Sequence, residues 1–123
     1  MIDHFNLPVS NLEKSSSFYQ AILKPLGISV IASDGDAIGF GIDTWQFGIV
    51  EENNTIPSIH LAFSCENRKT VDEFYRIALA SGGRENGPPG LRVDYGQFYF
   101  AAYVLDPDRH NIEAVCRKDE TAS

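Results

Sequence analysis

The sequence predicts a small α+β domain built from two copies of one strand–helix–strands unit, and three observations lead there. Laying His4 on His60 brings Phe18-Tyr19 onto Phe74-Tyr75, Leu23 onto Leu79 and Gly27 onto Gly83 without a gap, which marks an internal duplication. Each half shows the same succession of periods, first alternating, then helical, then alternating again. At 123 residues with 43% hydrophobic and 22% charged side chains, the chain suits one globular domain with a real core and is too short for two ordinary ones.

The elements follow in order. Ile2 to Val9 alternates as a strand, with Phe5, Leu7 and Val9 on one face and His4, Asn6 and Pro8 on the other. Ser10-Asn11-Leu12-Glu13 reads as a capping box, the Ser10 hydroxyl accepting an amide and Glu13 reaching back. Phe18, Tyr19, Ile22, Leu23 and Leu26 form a helical stripe that Pro25 and Gly27 end. Strands are expected at Ser29–Ala32, Ala37–Ile42 and Trp45–Glu51. The first module thus spans about 1–52, and a polar linker ending in Pro occupies 53–57.

The second module, about 58–117, repeats the plan. Ile59–Cys65 is a strand with Ile59, Leu61 and Phe63 on the packed face, leaving His60 on the other with Ala62 and Ser64. Val71, Phe74, Tyr75, Ala78 and Leu79 form the helical stripe, stopped by Ser81-Gly82-Gly83. Gly87-Pro88-Pro89-Gly90 and Asp106-Pro107-Asp108 read as turns around strands at Leu91–Asp94, Phe98–Leu105 and Asn111–Cys116. Residues 118–123 form a polar tail, expected to fray.

Composition narrows the partners. A net charge of −7 argues against nucleic acid and against an anionic membrane surface. No signal-like opening and no stretch long enough to span a bilayer are present. Cys65 and Cys116 belong to no Cys-x-x-Cys pair and read as buried thiols in a reducing compartment, so the cytoplasm is the expected location.

The chemistry lies on the polar faces. His4 and His60 occupy equivalent positions of the repeat, so pseudo-symmetry is expected to bring them to one site. Glu113 lies opposite Ile112 and Ala114, and a mid-strand carboxylate among apolar neighbours is costly to bury unless paired or bound to a cation. Two imidazoles and a carboxylate suit a divalent Mn, Fe, Co, Ni or Zn ion with open positions for water and substrate. No cysteine shares those faces, which disfavours a closed thiolate zinc site.

Several motifs in one order resemble the vicinal oxygen chelate superfamily of glyoxalase I, fosfomycin and bleomycin resistance proteins and extradiol dioxygenases. They are Asp3-His4 followed by Pro8 to Ser15 and Phe18-Tyr19, His60, Gly82-Gly83, Gly87-Pro88-Pro89-Gly90 with Arg92 and Tyr95, Asp106-Pro107-Asp108, and Ile112-Glu113. The resemblance covers nearly the whole chain. It implies tandem βαβββ modules forming curved mixed sheets around a central cavity, with His4, His60 and Glu113 as ligands of a divalent metal. Matching Thr44-Trp45-Gln46-Phe47 to Asn111-Ile112-Glu113-Ala114 adds Gln46 as fourth ligand, with Glu51 or water as rivals.

The implied activity is that of a glyoxalase-type metalloenzyme acting on a small molecule, as isomerase or lyase, thiol transferase or dioxygenase. Glu113 is the expected proton shuttle, and Arg92, Tyr95 and Tyr99 are candidates to line the pocket. The alternatives are a non-catalytic sequestering protein of the bleomycin-resistance type and a metal-free relic whose sheet serves a dimer contact. A symmetric homodimer is expected, with exchange of modules as one way for His4 and His60 to meet. The family turn usually carries Gly-Asn after Asp-Pro-Asp, whereas this chain has Arg109-His110; His110 is accordingly read as a solvated turn residue, with His or Asn taking any strain.

Overall fold

The computed structural model describes residues 1–54 and 56–120, so Thr55 of the linker and residues 121–123 of the tail lie outside the described residues. The first module contains β1 (Phe5–Val9), α1 (Leu12–Leu23), β2 (Ser29–Asp34), β3 (Ala37–Gly41) and β4 (Phe47–Glu51). The second contains β5 (His60–Ser64), α2 (Arg68–Ala80), β6 (Arg84–Leu91), β7 (Phe100–Leu105) and β8 (Asn111–Cys116). Each is βαβββ, as the repeat predicts. The strand orders match as well, β1-β4-β3-β2 and β5-β8-β7-β6. In each, the first strand runs parallel to the last, and the remaining pairs are antiparallel. The two sheets stay open, so β1 and β5 each lie at an unpaired sheet edge.

Both helices are capped by asparagine. Asn11 Oδ1 accepts from Lys14 N at 2.9 Å, and Asn67 Oδ1 accepts from Thr70 N at 2.8 Å. This corrects the expected Ser10 cap: the Ser10 amide donates to the Asp108 carboxylate at 3.0 and 3.1 Å, which holds Ser10 outside the helix. A single 3₁₀ turn over Lys24–Leu26 then leads to Gly27 at φ 77°, so Pro25 and Gly27 do end the segment. In α2 the buried stripe is Val71, Phe74 and Ala78, whereas Leu79 lies exposed, one position round from the packed face.

Both helices pack on the apolar faces of their sheets and on each other, and one core results. Tyr19, Phe47 and Phe63 carry it across the module boundary, with ring centroids 5.1 and 5.2 Å apart and Phe47–Phe63 edge to face.

Two turn readings change. Gly87-Pro88-Pro89-Gly90 is not a turn but part of β6, an edge strand whose register with β7 shifts on either side of Gly87. Proline lacks the amide a central strand needs, and an edge with bulges does not need it. The strand expected at Leu91–Asp94 therefore ends at Leu91, and the chain turns: Tyr95 N donates to Arg92 O, and Arg92 N to Tyr99 O.

The second change concerns the turn before β8. His110 is fully buried rather than solvated. It accepts from Ile59 N on Nδ1 at 3.1 Å and donates from Nε2 to Pro8 O at 2.8 Å, which assigns one neutral tautomer. Asp106, also buried, accepts from Tyr19 Oη at 2.5 Å and from the amides of Asp108 and His110 at 2.9 Å. One turn thus ties β1, α1 and the start of β5 together. Burial holds the Asp106 carboxyl above its ordinary range, with Tyr19 and the turn amides opposing that shift. Burial and Asp106 together push Tyr19 well up.

Candidate functional site

The parallel register of β5 and β8 pairs His60 with Asn111 and Ala62 with Glu113, so the two ionisable side chains are diagonal neighbours on one face. Leu61 and Phe63 point to the core while His60 stays exposed, as their alternation predicts. His60 Nε2 lies 2.8 Å from Glu113 Oε1. Glu113 is only 2% exposed, against 54% for the His60 side chain. A nearly buried carboxylate thus opens to solvent through one imidazole.

Its second oxygen is held as well, because Tyr99 Oη donates to Glu113 Oε2. Burial, then this bond, raise Tyr99 far above the ordinary phenol range, so it stays a donor at neutral pH. Tyr103 pairs with Glu113 across β7 and β8, and burial and that carboxylate raise it too. These groups, with Arg92, Tyr95 and Asn111, line a cavity of about 500 Å³. Arg92, Tyr95 and Tyr99, expected as lining residues, all stand there. Tyr103 joins them without any signal in its own strand, since its place opposite Glu113 follows only from pairing β7 with β8.

The other expected ligands are elsewhere. His4 stands immediately before β1, 56% exposed, with Nδ1 2.8 Å from Asp3 Oδ1. Within one chain, then, pseudo-symmetry does not bring His4 to His60: the modules join through their helices and apolar faces, leaving β1 and β5 at separate sheet edges. Among the described residues, no three His, Cys, Asp or Glu side chains stand close enough to hold a metal.

Gln46 is not placed with Glu113 either. Its amide oxygen accepts from Ile42 N at 3.2 Å, and its side chain borders a separate apolar cavity with Phe5, Phe40 and Phe63. Strand register shows why. Asn6 pairs with Gly48 as Ala62 pairs with Glu113, so Gly48, not Gln46, is the counterpart of Glu113. Gly39, next in that row, is the counterpart of Tyr103. The Trp45 indole lies across Gly39 and Gly48, where any β-carbon would collide with it, and its Nε1 donates to Asn6 Oδ1 at 2.9 Å. Glu51 is engaged at the helix, accepting from Leu12 N at 2.9 Å. The duplicated face has diverged: one copy carries the polar cavity, and the other is covered by Trp45.

The donor set of the second module, one imidazole nitrogen and one carboxylate oxygen converging at 2.8 Å, fits part of a divalent-metal site and needs at least one more ligand. Its chemistry is otherwise that of an acid–base pair with a fixed phenol donor.

Known proteins place this geometry. A glyoxalase/bleomycin resistance protein from Albidiferax ferrireducens is 30% identical, superposes with a TM-score of 0.82, and covers 93% of this chain and 97% of its own. A variant of the fosfomycin resistance protein FosX from Listeria monocytogenes, solved with Mn(II) and 1S,2S-dihydroxypropylphosphonic acid, is 26% identical at a TM-score of 0.73, covering 98% and 92%. The protein YqjT of Bacillus subtilis (strain 168) is 28% identical over 91% of this chain and 95% of its own. The family model of the Glyoxalase/Bleomycin resistance protein/Dioxygenase superfamily matches residues 1–114, and the chain belongs to that superfamily.

Proposed function

We propose that the chain is a divalent-metal-dependent enzyme acting on a small molecule with adjacent oxygens, assembled as a homodimer. His60 and Glu113 of one copy would meet His4 of a second copy. The observation that carries this reading is the pairing of His60 with the nearly buried Glu113 at the floor of an open cavity. A carboxylate taken from water needs a compensating charge or bonds, and one exposed imidazole with one phenol supplies little charge. His60 and Glu113 would hold a divalent ion, which would supply that charge.

Two further facts support a second copy as donor of the third ligand. His4 immediately precedes β1, which lies at an unpaired sheet edge as the β5 of His60 does, and its side chain is exposed. Superfamily membership supports the metal, since the FosX relative was solved with Mn(II). Gly48 offers no side chain, so water and substrate oxygens would supply any further ligands.

When bound, the ion would polarise substrate oxygens and stabilise negative charge developing on them. The chain's own residues do the rest. Tyr99 fixes the Glu113 plane through Oε2, and Glu113 is the carboxylate in the cavity that would take and return a proton. Tyr95, Tyr103 and Arg92 line the cavity.

The test is metal content and thermal shift of protein purified without added metal or chelator. Added Mn, Co or Ni should raise the melting temperature of wild type by several degrees, because a ligand at a hundred times its Kd stabilises by about 2.7 kcal/mol. Glu113→Gln keeps the shape and removes the charge, and His60→Ala removes a donor; both should lose that rise. Variants matching wild type in content and shift would end the metal reading and leave a binding protein.

A further inference from the structure

We propose that the ligand of this cavity carries a compact oxyanion, a carboxylate or a phosphorus oxoacid, that pairs with Arg92. The inference rests on the proposed site in placing the ligand's other end at His60 and Glu113.

Arg92 is a held but uncompensated cation. Its amide donates to Tyr99 O at 2.8 Å, which fixes the backbone at the foot of the turn. Its Nη2 donates to Pro88 O at 2.6 Å, and its guanidinium lies over the Tyr103 ring at 5.4 Å. A carbonyl and an aromatic face orient the group without neutralising it. In a chain with 17 acidic and 10 basic residues, a half-buried arginine would ordinarily find a carboxylate. Among the described residues none pairs with Arg92, although Lys118 pairs with Glu66 on the open surface.

The rest of the cavity is neutral except at its floor. Tyr95 and Tyr99 stack edge to face at 5.4 Å, and their rings and hydroxyls form one wall. Glu113 does not pair with Arg92; its two oxygens are bonded to His60 and Tyr99. Tyr103 separates the two charged ends, its ring 5.4 Å from the guanidinium and 6.2 Å from the His60 ring. A ligand spanning them is therefore short, with an anion at one end and oxygens at the other. The cavity, about 500 Å³, is of small-molecule size. The net charge of −7 opposes an approaching anion at long range, so selection must come from the local pairing.

Three probes share vicinal oxygens and differ in charge: glycerate, glycerol 3-phosphate and neutral glycerol. Calorimetry on Mn-loaded wild type should show one or both anions binding at least about tenfold more tightly than glycerol, since a charge-assisted bond contributes about 1.5–3 kcal/mol. Which anion binds better tells a carboxylate site from a phosphorus one. Arg92→Gln should remove that preference while keeping the Mn-dependent thermal shift, and Arg92→Lys should restore part of it. A merely structural Arg92 would lower the melting temperature and leave the preference intact. Equal binding of glycerol and the anions, no binding of either anion, or full anion preference in Arg92→Gln would overturn the proposal. Repeating the titration without metal separates the two readings. Anion preference through Arg92 in protein that takes no Mn would end the metal reading alone, and a Mn shift without anion preference would end this one alone.

Discussion

Arg109 sits at φ 67°, in the left-handed region that a side chain enters at a cost, and it is exposed. The strain expected from the missing glycine of the Asp-Pro-Asp turn is therefore real, but it falls on Arg109 rather than on His110 or Asn111. Arg109→Gly should stabilise the fold by about 1 kcal/mol, the relief of strain outweighing the added freedom of the unfolded chain; urea unfolding would read it. The cysteines behave as their apolar surroundings predict. Cys65 and Cys116 are free and buried, and burial pushes the Cys65 thiol up to about 12. Thiol reagents should label native protein slowly and unfolded protein at once. In the folded state the Cys65 proton is held more tightly than in the unfolded one. This contribution to stability is complete below pH 9 and is lost as pH rises toward 12, so Cys65→Ala should flatten the alkaline limb of a melting-temperature profile. Alternation alone was enough to place these side chains and to put His60 and Glu113 on one face. It could not place His110, because a residue in a turn has no period to betray its burial.

Between residue 106 and residue 110 a single turn performs work that its composition conceals. Asp-Pro-Asp is turn chemistry wherever it occurs, yet here Asp106 is bonded to Tyr19 and His110 spans Pro8 O and Ile59 N. His110→Ala would leave that amide and carbonyl buried without partners and should cost about 2–4 kcal/mol. Asp106→Asn is the milder change, since an amide oxygen can still take both turn amides. It also gives a signed test. Because burial raises the native carboxyl above its unfolded value, the folded state binds the proton more tightly, and wild type loses stability as pH rises through the native value. Asp106→Asn should therefore compare worst with wild type at acid pH and improve relative to it toward neutrality, read as the difference in melting temperature. Wild type gaining on the variant over that window would contradict the assignment. The same limit on composition explains β6: glycine and proline mark turns in isolation, and only the edge position of the strand makes them acceptable within it. Counting matched positions likewise suggested Gln46 as the mate of Glu113, whereas pairing through β1 and β5 gives Gly48. Register is a property of two strands, so one strand's sequence could not disclose it.

At the scale of the whole molecule, the duplication was legible from the first strand and helix of each unit, but the way the units meet was not. One ungapped repeat specifies two equal modules and leaves open whether their polar faces close on each other or on those of a second chain. The structure joins the modules of one chain through α1, α2 and the Tyr19–Phe47–Phe63 cluster, and leaves β1 and β5 as unpaired edges. A hydrophobic junction of this kind resists rearrangement, so the free edges find partners most cheaply on a second copy. Light scattering should accordingly give a homodimer, and a monomer across the micromolar range would sink the arrangement. Complementation tests it more sharply. If each site takes His60 and Glu113 from one copy and His4 from the other, His4→Ala and His60→Ala homodimers should both lose most bound metal. Unfolding the two variants together and refolding them should form heterodimers with one site intact, in which the His4→Ala chain supplies His60 and Glu113 and the His60→Ala chain supplies His4. About half of the refolded dimers would be mixed if association is random, so metal content should recover to about a quarter of wild type. No recovery from a mixture that demonstrably forms heterodimers would mean that His4 serves its own chain or no site at all, and the two-chain metal site would have to be abandoned.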